Sequence, residues 1–277
     1  MAHECGRRYG NVSCQKWPAC SYPAIQAFGH VAAGVALTLV RRNFLVITCE
    51  HGGREVPREY AALFSGRDSL LTSHRGWDAG ALELGRQMAN AFGSPRHFAT
   101  TTRLLVDLNR SIGHRQLFSE VTRSLSPARR LEIVDRYYRP HRQAVESQIA
   151  GHIATGCRVI HIASHSFTPT LDSVPRQADV AWPYEPRRPG EAAFAGAWLL
   201  ALAQRAPELR LRRNYPYQGR ADGLTASLRK HHPDSAYVGI ELEVNQRFVD
   251  QRGAAWDRLR AMLVDSLRKV LASTADR

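Results

Sequence analysis

Two histidines and a glutamate stand where chemistry is usually done in an α/β protein. His51 follows the run Phe44-Leu45-Val46-Ile47-Thr48-Cys49-Glu50 and precedes Gly52-Gly53. His165 follows the apolar stretch 157–163, in Ser164-His165-Ser166, and Glu243 follows 237–242. Short runs of apolar and β-branched residues read as strands buried on both faces. In open α/β sheets, ligands collect just beyond the carboxyl ends of such strands. Three strand ends that offer His, His and Glu therefore read as one site.

Two imidazoles, one carboxylate and an open position form the donor set of a catalytic zinc site. His51 and His165 are the natural imidazole ligands. Two acids near His51 compete for the third place: Glu55, four residues on, and Asp78 in His74-Arg75-Gly76-Trp77-Asp78. Asp78 also suits a helix N-cap ahead of Ala79-Gly80-Ala81. Glu55 also suits a solvated loop, and His74 a surface position. Alternation along the last strand puts Glu241 and Glu243 on one face. A carboxylate beside an activated water works as general base and then general acid; the plainer reading of Glu243 is a paired structural carboxylate.

A second constellation is Asp107-Leu108-Asn109-Arg110, with Arg103 upstream. A guanidinium fork grips a carboxylate bidentately and an amide adds direction; the alternative is a surface salt-bridge cluster. Ser164 lacks the flanking glycines of a nucleophile elbow. Cys49 lies inside a strand and reads as a buried, inert thiol.

The elements that must position these groups alternate. After the first strand, residues 57–64 read as a short helix and 78–92 as a longer one, with Ala81, Leu84, Met88 and Phe92 at helical spacing. Residues 96–101 suit a strand. Ser126-Pro127 supplies an N-cap and an N1 proline for a helix reaching about residue 153, which Pro140 should kink. A five-proline loop spans 166–190, long enough to suggest a lid. Then come a helix at 191–205, a strand at 209–212, a helix at 222–230 and a closing helix at 254–271. This order predicts an α/β fold: a mixed, mostly parallel sheet flanked by helices on both faces.

Composition narrows the function. With 277 residues, 44% hydrophobic and 23% charged, the chain can bury a sizeable core. Its net charge of +13 invites nucleic acid. However, the basic residues are scattered arginines, Lys16, Lys230 and Lys269 being the only lysines, without a continuous tract. Small anionic substrates, no specific nucleic acid and no membrane partner are expected. The odd set Cys5, Cys14, Cys20, Cys49 and Cys157 argues against a disulfide framework and for the cytoplasm. Residues 1–42 differ in composition and read as a poorly ordered extension to a catalytic domain at 43–277; the apolar stretch 24–40 is too interrupted for a signal or membrane segment.

Five motifs in order resemble the N-formylglutamate amidohydrolases, over roughly residues 44–271. They are Glu50-His51-Gly52-Gly53 with Val56-Pro57, His74 to Ala81, Asp107 to Arg110, Ala163 to Pro169, and Glu241 to Gln246. That family is similar in fold to zinc carboxypeptidases and aminoacylases. The resemblance implies a metal, Zn²⁺ or another divalent ion, at His51, Asp78 and His165. It further implies a substrate carboxylate on Asn109 and Arg110, and acid/base catalysis by Glu243; Arg103 is expected to steady charge developing on the carbonyl oxygen. The substrate implied is a small anionic N-acyl amino acid such as N-formyl-L-glutamate. Tyr137-Tyr138-Arg139-Pro140-His141-Arg142 resembles the family's aromatic-proline helix break, and from it His141 is the expected substrate-binding residue, with Arg142 the alternative. One departure stands out: the related hydrolases carry a glutamate three residues after the first histidine, where this chain has Arg54.

Overall fold

The computed structural model describes residues 42–250 and 253–275. The extension at 1–42, bar its last residue, the stretch 24–40 and Cys5, Cys14 and Cys20 lie outside the described residues. Six strands form one sheet: β1 (Asn43–Cys49), β2 (Arg96–Phe98), β3 (Arg158–Phe167), β6 (Val180–Trp182), β7 (Leu211–Arg213) and β8 (Tyr237–Asn245). Their order is β2-β1-β3-β8-β6-β7. All neighbours run parallel except β6, which is antiparallel to β8. The sheet is thus mixed and mostly parallel. A two-stranded hairpin, β4 (Thr170–Leu171) and β5 (Val174–Pro175), stands apart.

Alternation along the strands feeds two cores. Ile47, Ile160, Ile162, Val238, Ile240 and Leu242 point to a layer built by helices α2 (Ala81–Phe92), α5 (Pro189–Arg205) and α8 (Ala254–Ala275). Their neighbours Val46, Val159 and Tyr237 face α4 (Arg139–Ala154) and α6 (Leu224–Arg229) on the other side. Burial of both faces explains why the strands read as continuous apolar runs. His161, on that second face, is a neutral core histidine bonded to Thr48 Oγ1 and the Tyr237 hydroxyl; burial holds its pKa down at about 3. A third cluster joins a 3-10 turn at Arg58–Phe64 to Leu104, Leu105, Val106, Leu108, Ile133 and Tyr138. It anchors the segment that carries Arg103 to Arg110.

Several boundaries differ from those expected. Strands β3 and β8 run on through Phe167 and Asn245, because each supplies the other's hydrogen bonds to the end. His165 and Glu243 therefore lie inside the ladder rather than past it. Helix α2 begins at Ala81, since Gly80 takes a left-handed φ of 79°, and Asp78 is not its cap. Ser126 does cap α3 (Pro127–Ile133), accepting from the Arg129 amide at 3.4 Å. A π-turn at Val134–Tyr138 follows directly, and α4 carries Pro140 in its first turn. The 166–190 loop is less irregular than expected: it holds the hairpin and the fully buried β6. Two short helices, α1 (Asp68–Thr72) and α7 (Arg247–Asp250), complete the set.

Candidate active site

The centre of the site is built where β1 ends. The chain turns at Glu50-His51, and Gly53 passes so close to residue 100 that a Cβ there would lie 2.3 Å from the Thr100 carbonyl oxygen. Only glycine allows that approach. The turn also fixes Asp78, whose amide donates to the His51 carbonyl at 2.9 Å. From the neighbouring strand, β3 presents His165.

Three donor atoms converge here. Asp78 Oδ2 lies 3.4 Å from His51 Nδ1 and 2.9 Å from His165 Nδ1. One ligand atom from each residue falls within 4.8 Å of the others, and all three side chains are buried. The far nitrogens are held as well: His51 Nε2 is 2.7 Å from Asp107 Oδ1, and His165 Nε2 is 3.1 Å from Glu50 Oε2. Carboxylates behind histidine ligands set the tautomer and aim the ring. Here they leave both Nδ1 atoms facing Asp78. Two nitrogens and one oxygen, converging and braced from behind, fit a zinc-type divalent ion. Among the described residues this is the one such group.

Arg103 binds the carboxylates together. Its Nη2 donates to Asp107 Oδ2 at 2.7 Å and its Nη1 to Asp78 Oδ1 at 3.3 Å. Burial alone would raise the pKa of each of these acids. Against that, electrostatic attraction to His51 and hydrogen bonds from His165 and His51 hold Asp78 far below the carboxylate range. Arg103 and His51 do the same for Asp107, and His141 and His165 for Glu50. Burial would lower His165; hydrogen bonds to Asp78 and Glu50 instead push it well above an ordinary histidine.

Glu243 behaves oppositely. It pairs with His165 across the β3–β8 ladder, is 4% exposed, and its Oε2 has no hydrogen-bond partner. Burial pushes its pKa up to about 8; the charges of Asp78 and Glu241 add to that, and His165 opposes it. It is a buried acid poised near neutrality beside a cluster of fixed charge.

One cleft gathers His51, Asp78, His165, Arg103, Asn109, Arg110 and Glu243. His141 does not line it. The chain enters α4 behind the β1 turn, so His141 Nε2 sits 3.6 Å from Glu50 Oε1 and borders a separate cavity with Phe98, Thr100 and Tyr137. Arg142 turns to the Leu108 carbonyl. Glu55 accepts from the Thr100 hydroxyl at 2.7 Å, in an exposed position outside the cluster. The bracing roles of Glu50 and Asp107 escaped the sequence, although both acids sit inside the quoted motifs, one of them next to His51. Tyr217, Asp222 and Glu241 also line the cleft; Tyr217 comes from an irregular segment with no pattern to flag it, and Asp222, expected to open a helix at 222–230, lies just ahead of α6, which begins at Leu224.

Comparison with known proteins bears on this arrangement. Residues 44–249 match the family model described as N-formylglutamate amidohydrolase. No curated protein matches the sequence. The chain is similar to the solved structure of gene product Atu2144 from Agrobacterium tumefaciens, at 26% identity and a TM-score of 0.71, with 83% of this chain and 90% of that one covered. It also shares its fold with an N-formylglutamate amidohydrolase from Ralstonia eutropha JMP134, at 18% identity and a TM-score of 0.64, covering 83% and 93%.

Proposed function

The chain belongs to the N-formylglutamate amidohydrolase family, and on that premise we propose a metal-dependent hydrolase that cleaves the amide of an N-acyl amino acid. N-formyl-L-glutamate is the substrate that the family's description names. The observation that carries the reading is the unpartnered Glu243 carboxyl, buried in the same cleft as the His51–Asp78–His165 convergence. Held by those three residues, a zinc ion would supply Lewis acidity at the scissile carbonyl.

The chain's own groups divide the remaining work. Arg110 and the Asn109 side chain hold the substrate's carboxylate. The Asn109 Oδ1 already accepts from the Leu224 amide at 2.6 Å, which turns its NH₂ group to donate. Glu243 takes a proton from the attacking water and returns it to the nitrogen as the C–N bond breaks, releasing formate and the amino acid. A dication nearby favours the ionised form of Glu243, so the base is ready when the site is loaded. Arg103, its side chain 24% exposed, keeps N–H groups toward the cleft for charge developing on the carbonyl oxygen. Asp107 and Glu50 keep the two imidazoles aimed. The free thiols Cys49 and Cys157 support a reducing compartment such as the cytoplasm.

The test is formate release from N-formyl amino acids by the zinc-loaded protein, with N-formyl-L-glutamate first. Turnover that disappears with chelator and returns with zinc supports the reading. No hydrolysis of any N-formyl or N-acetyl amino acid would sink it.

A further inference from the structure

Around the cleft, Arg75 pairs with Glu120 and Arg103 with Asp78 and Asp107. Arg176 has no such acid among the described residues. Of its guanidinium nitrogens only Nη1 is engaged there, donating to the Tyr217 hydroxyl at 3.3 Å. The guanidinium carbon lies 5.6 Å from the centre of the Phe167 ring and 5.3 Å from that of Tyr217, close enough for each ring to attract the cation. Both rings line the cleft. His74, a third lining residue, feels the same charge: burial first, then Arg176, Arg75 and Arg103, hold its pKa below that of an ordinary histidine. Arg176 is half-buried and stands over residues of the cleft wall with Nε and Nη2 free to donate.

The local fold holds it there. Phe167 ends β3, and the chain doubles back through the β4–β5 hairpin, where Asp172 and Ser173 take φ of 48° and 64°, as a tight two-residue turn requires. The return brings the Arg176 amide to the Pro169 carbonyl at 2.8 Å and the Gln177 amide to the Tyr215 hydroxyl at 2.8 Å. A guanidinium already stacked on two rings has little freedom left to lose when a ligand arrives. The acids of the cleft are placed elsewhere: Asp222 accepts from the Ser111 amide and hydroxyl, Glu241 from the Thr225 hydroxyl, and Glu243 stands opposite His165 on the β3–β8 ladder. None of them neutralises Arg176. A ligand anion beside Phe167 and Tyr217 would do so, as a second anion beyond the one proposed for Asn109 and Arg110.

Resting on the amide-hydrolase reading above, we propose that Arg176 is a specificity-determining residue, taking the side-chain carboxylate of an N-acyl acidic amino acid whose α-carboxylate sits on Asn109 and Arg110. Nε and Nη2 offer the two donors of a bidentate carboxylate grip, while Nη1 stays on Tyr217.

The experiment compares N-formyl-L-glutamate with its uncharged isostere N-formyl-L-glutamine. Preference is read twice on zinc-loaded protein: as the ratio of kcat/KM values, and as the ratio of Kd values by calorimetry in the Glu243→Gln background, which separates binding from turnover. The starting protein should favour the glutamate compound by about tenfold or more, the worth of hydrogen bonds to a charged group. Arg176→Gln should bring that ratio close to one, and Arg176→Lys, which keeps the charge but not the fork, should restore part of it. A protein that does not favour the glutamate compound overturns the proposal. So does an Arg176→Gln variant that weakens both compounds by the same factor, because a stacking role alone would do that. If neither compound is hydrolysed but the Kd ratio follows residue 176 as expected, the specificity assignment stands and the hydrolase reading falls.

Discussion

The charged groups in and behind the cleft fall into two sets. In one, His51, His165, Asp78, Asp107, Glu50 and Arg103 answer one another at 2.7 to 3.4 Å. In the other, Glu243, Glu241 and Arg110 stand without ionic partners among the described residues. A buried polar group left alone is costly, so such groups persist where a ligand completes them. On the proposed reading the paired set is a holder for an ion, and the unpaired set is where substrate and proton would come and go.

The sharpest way to break that contrast is to strip the paired set. His51→Ala and His165→Ala should each abolish zinc binding and turnover while the circular dichroism spectrum stays native; full metal content in both variants would refute the holder. Next in size is the unpaired set's proposed proton carrier. Glu243→Gln should retain zinc but lose about 10²–10⁴-fold in kcat, and normal turnover would make Glu243 structural. Arg110→Ala should act on KM rather than kcat, by roughly 2–4 kcal/mol if a desolvated charge pair is lost.

A fourth measurement needs no substrate. In the metal-free protein Glu243 holds its proton up to about pH 8, whereas an unfolded glutamate releases it near pH 4.3. Between those values the native state binds the extra proton, so stability falls as pH rises. From pH 5 to pH 8 the loss should be about 3–4 kcal/mol, seen in denaturant midpoints, and Glu243→Gln should remove it. A wild type and variant with parallel pH profiles would show that Glu243 is paired after all. The smallest effect belongs to the braces: Asp107→Asn should weaken zinc binding by about 10–100-fold, measured by competition with a chelator. Unchanged affinity would mean that Asp107 does not aim His51.

Much of this was legible in the residues. Apolar runs ending in Glu50-His51 and at His165 and Glu243 located the parallel strands, because a strand buried on both faces leaves an unbroken apolar signature. Those runs also supplied His51, His165 and Glu243, and the Asp78 motif supplied the third converging donor. Two strands proved longer than their apolar runs, since ladder hydrogen bonds continue through polar residues once a partner strand does the same. Strand β6 went unseen because three residues carry no period. The braces were hidden for another reason: Asp107 lies 56 residues from His51, and only the packing of Leu105, Val106 and Leu108 into their cluster carries it there. The placing of His141 depended on the path of α4, which the proline signal locates along the chain but not in space.

His165 and Glu243 occupy one rung of the β3–β8 ladder, which continues without a break from Val159 opposite Tyr237 to Phe167 opposite Asn245. Amides in the middle of such a sheet exchange with solvent only when the whole domain opens. The spacing between a proposed metal ligand and the proposed proton carrier is therefore guarded by the most slowly exchanging part of the fold. Heat inactivation should accordingly be all-or-none, with residual activity following the fraction of folded molecules through the melting transition and no partly active intermediate on the way.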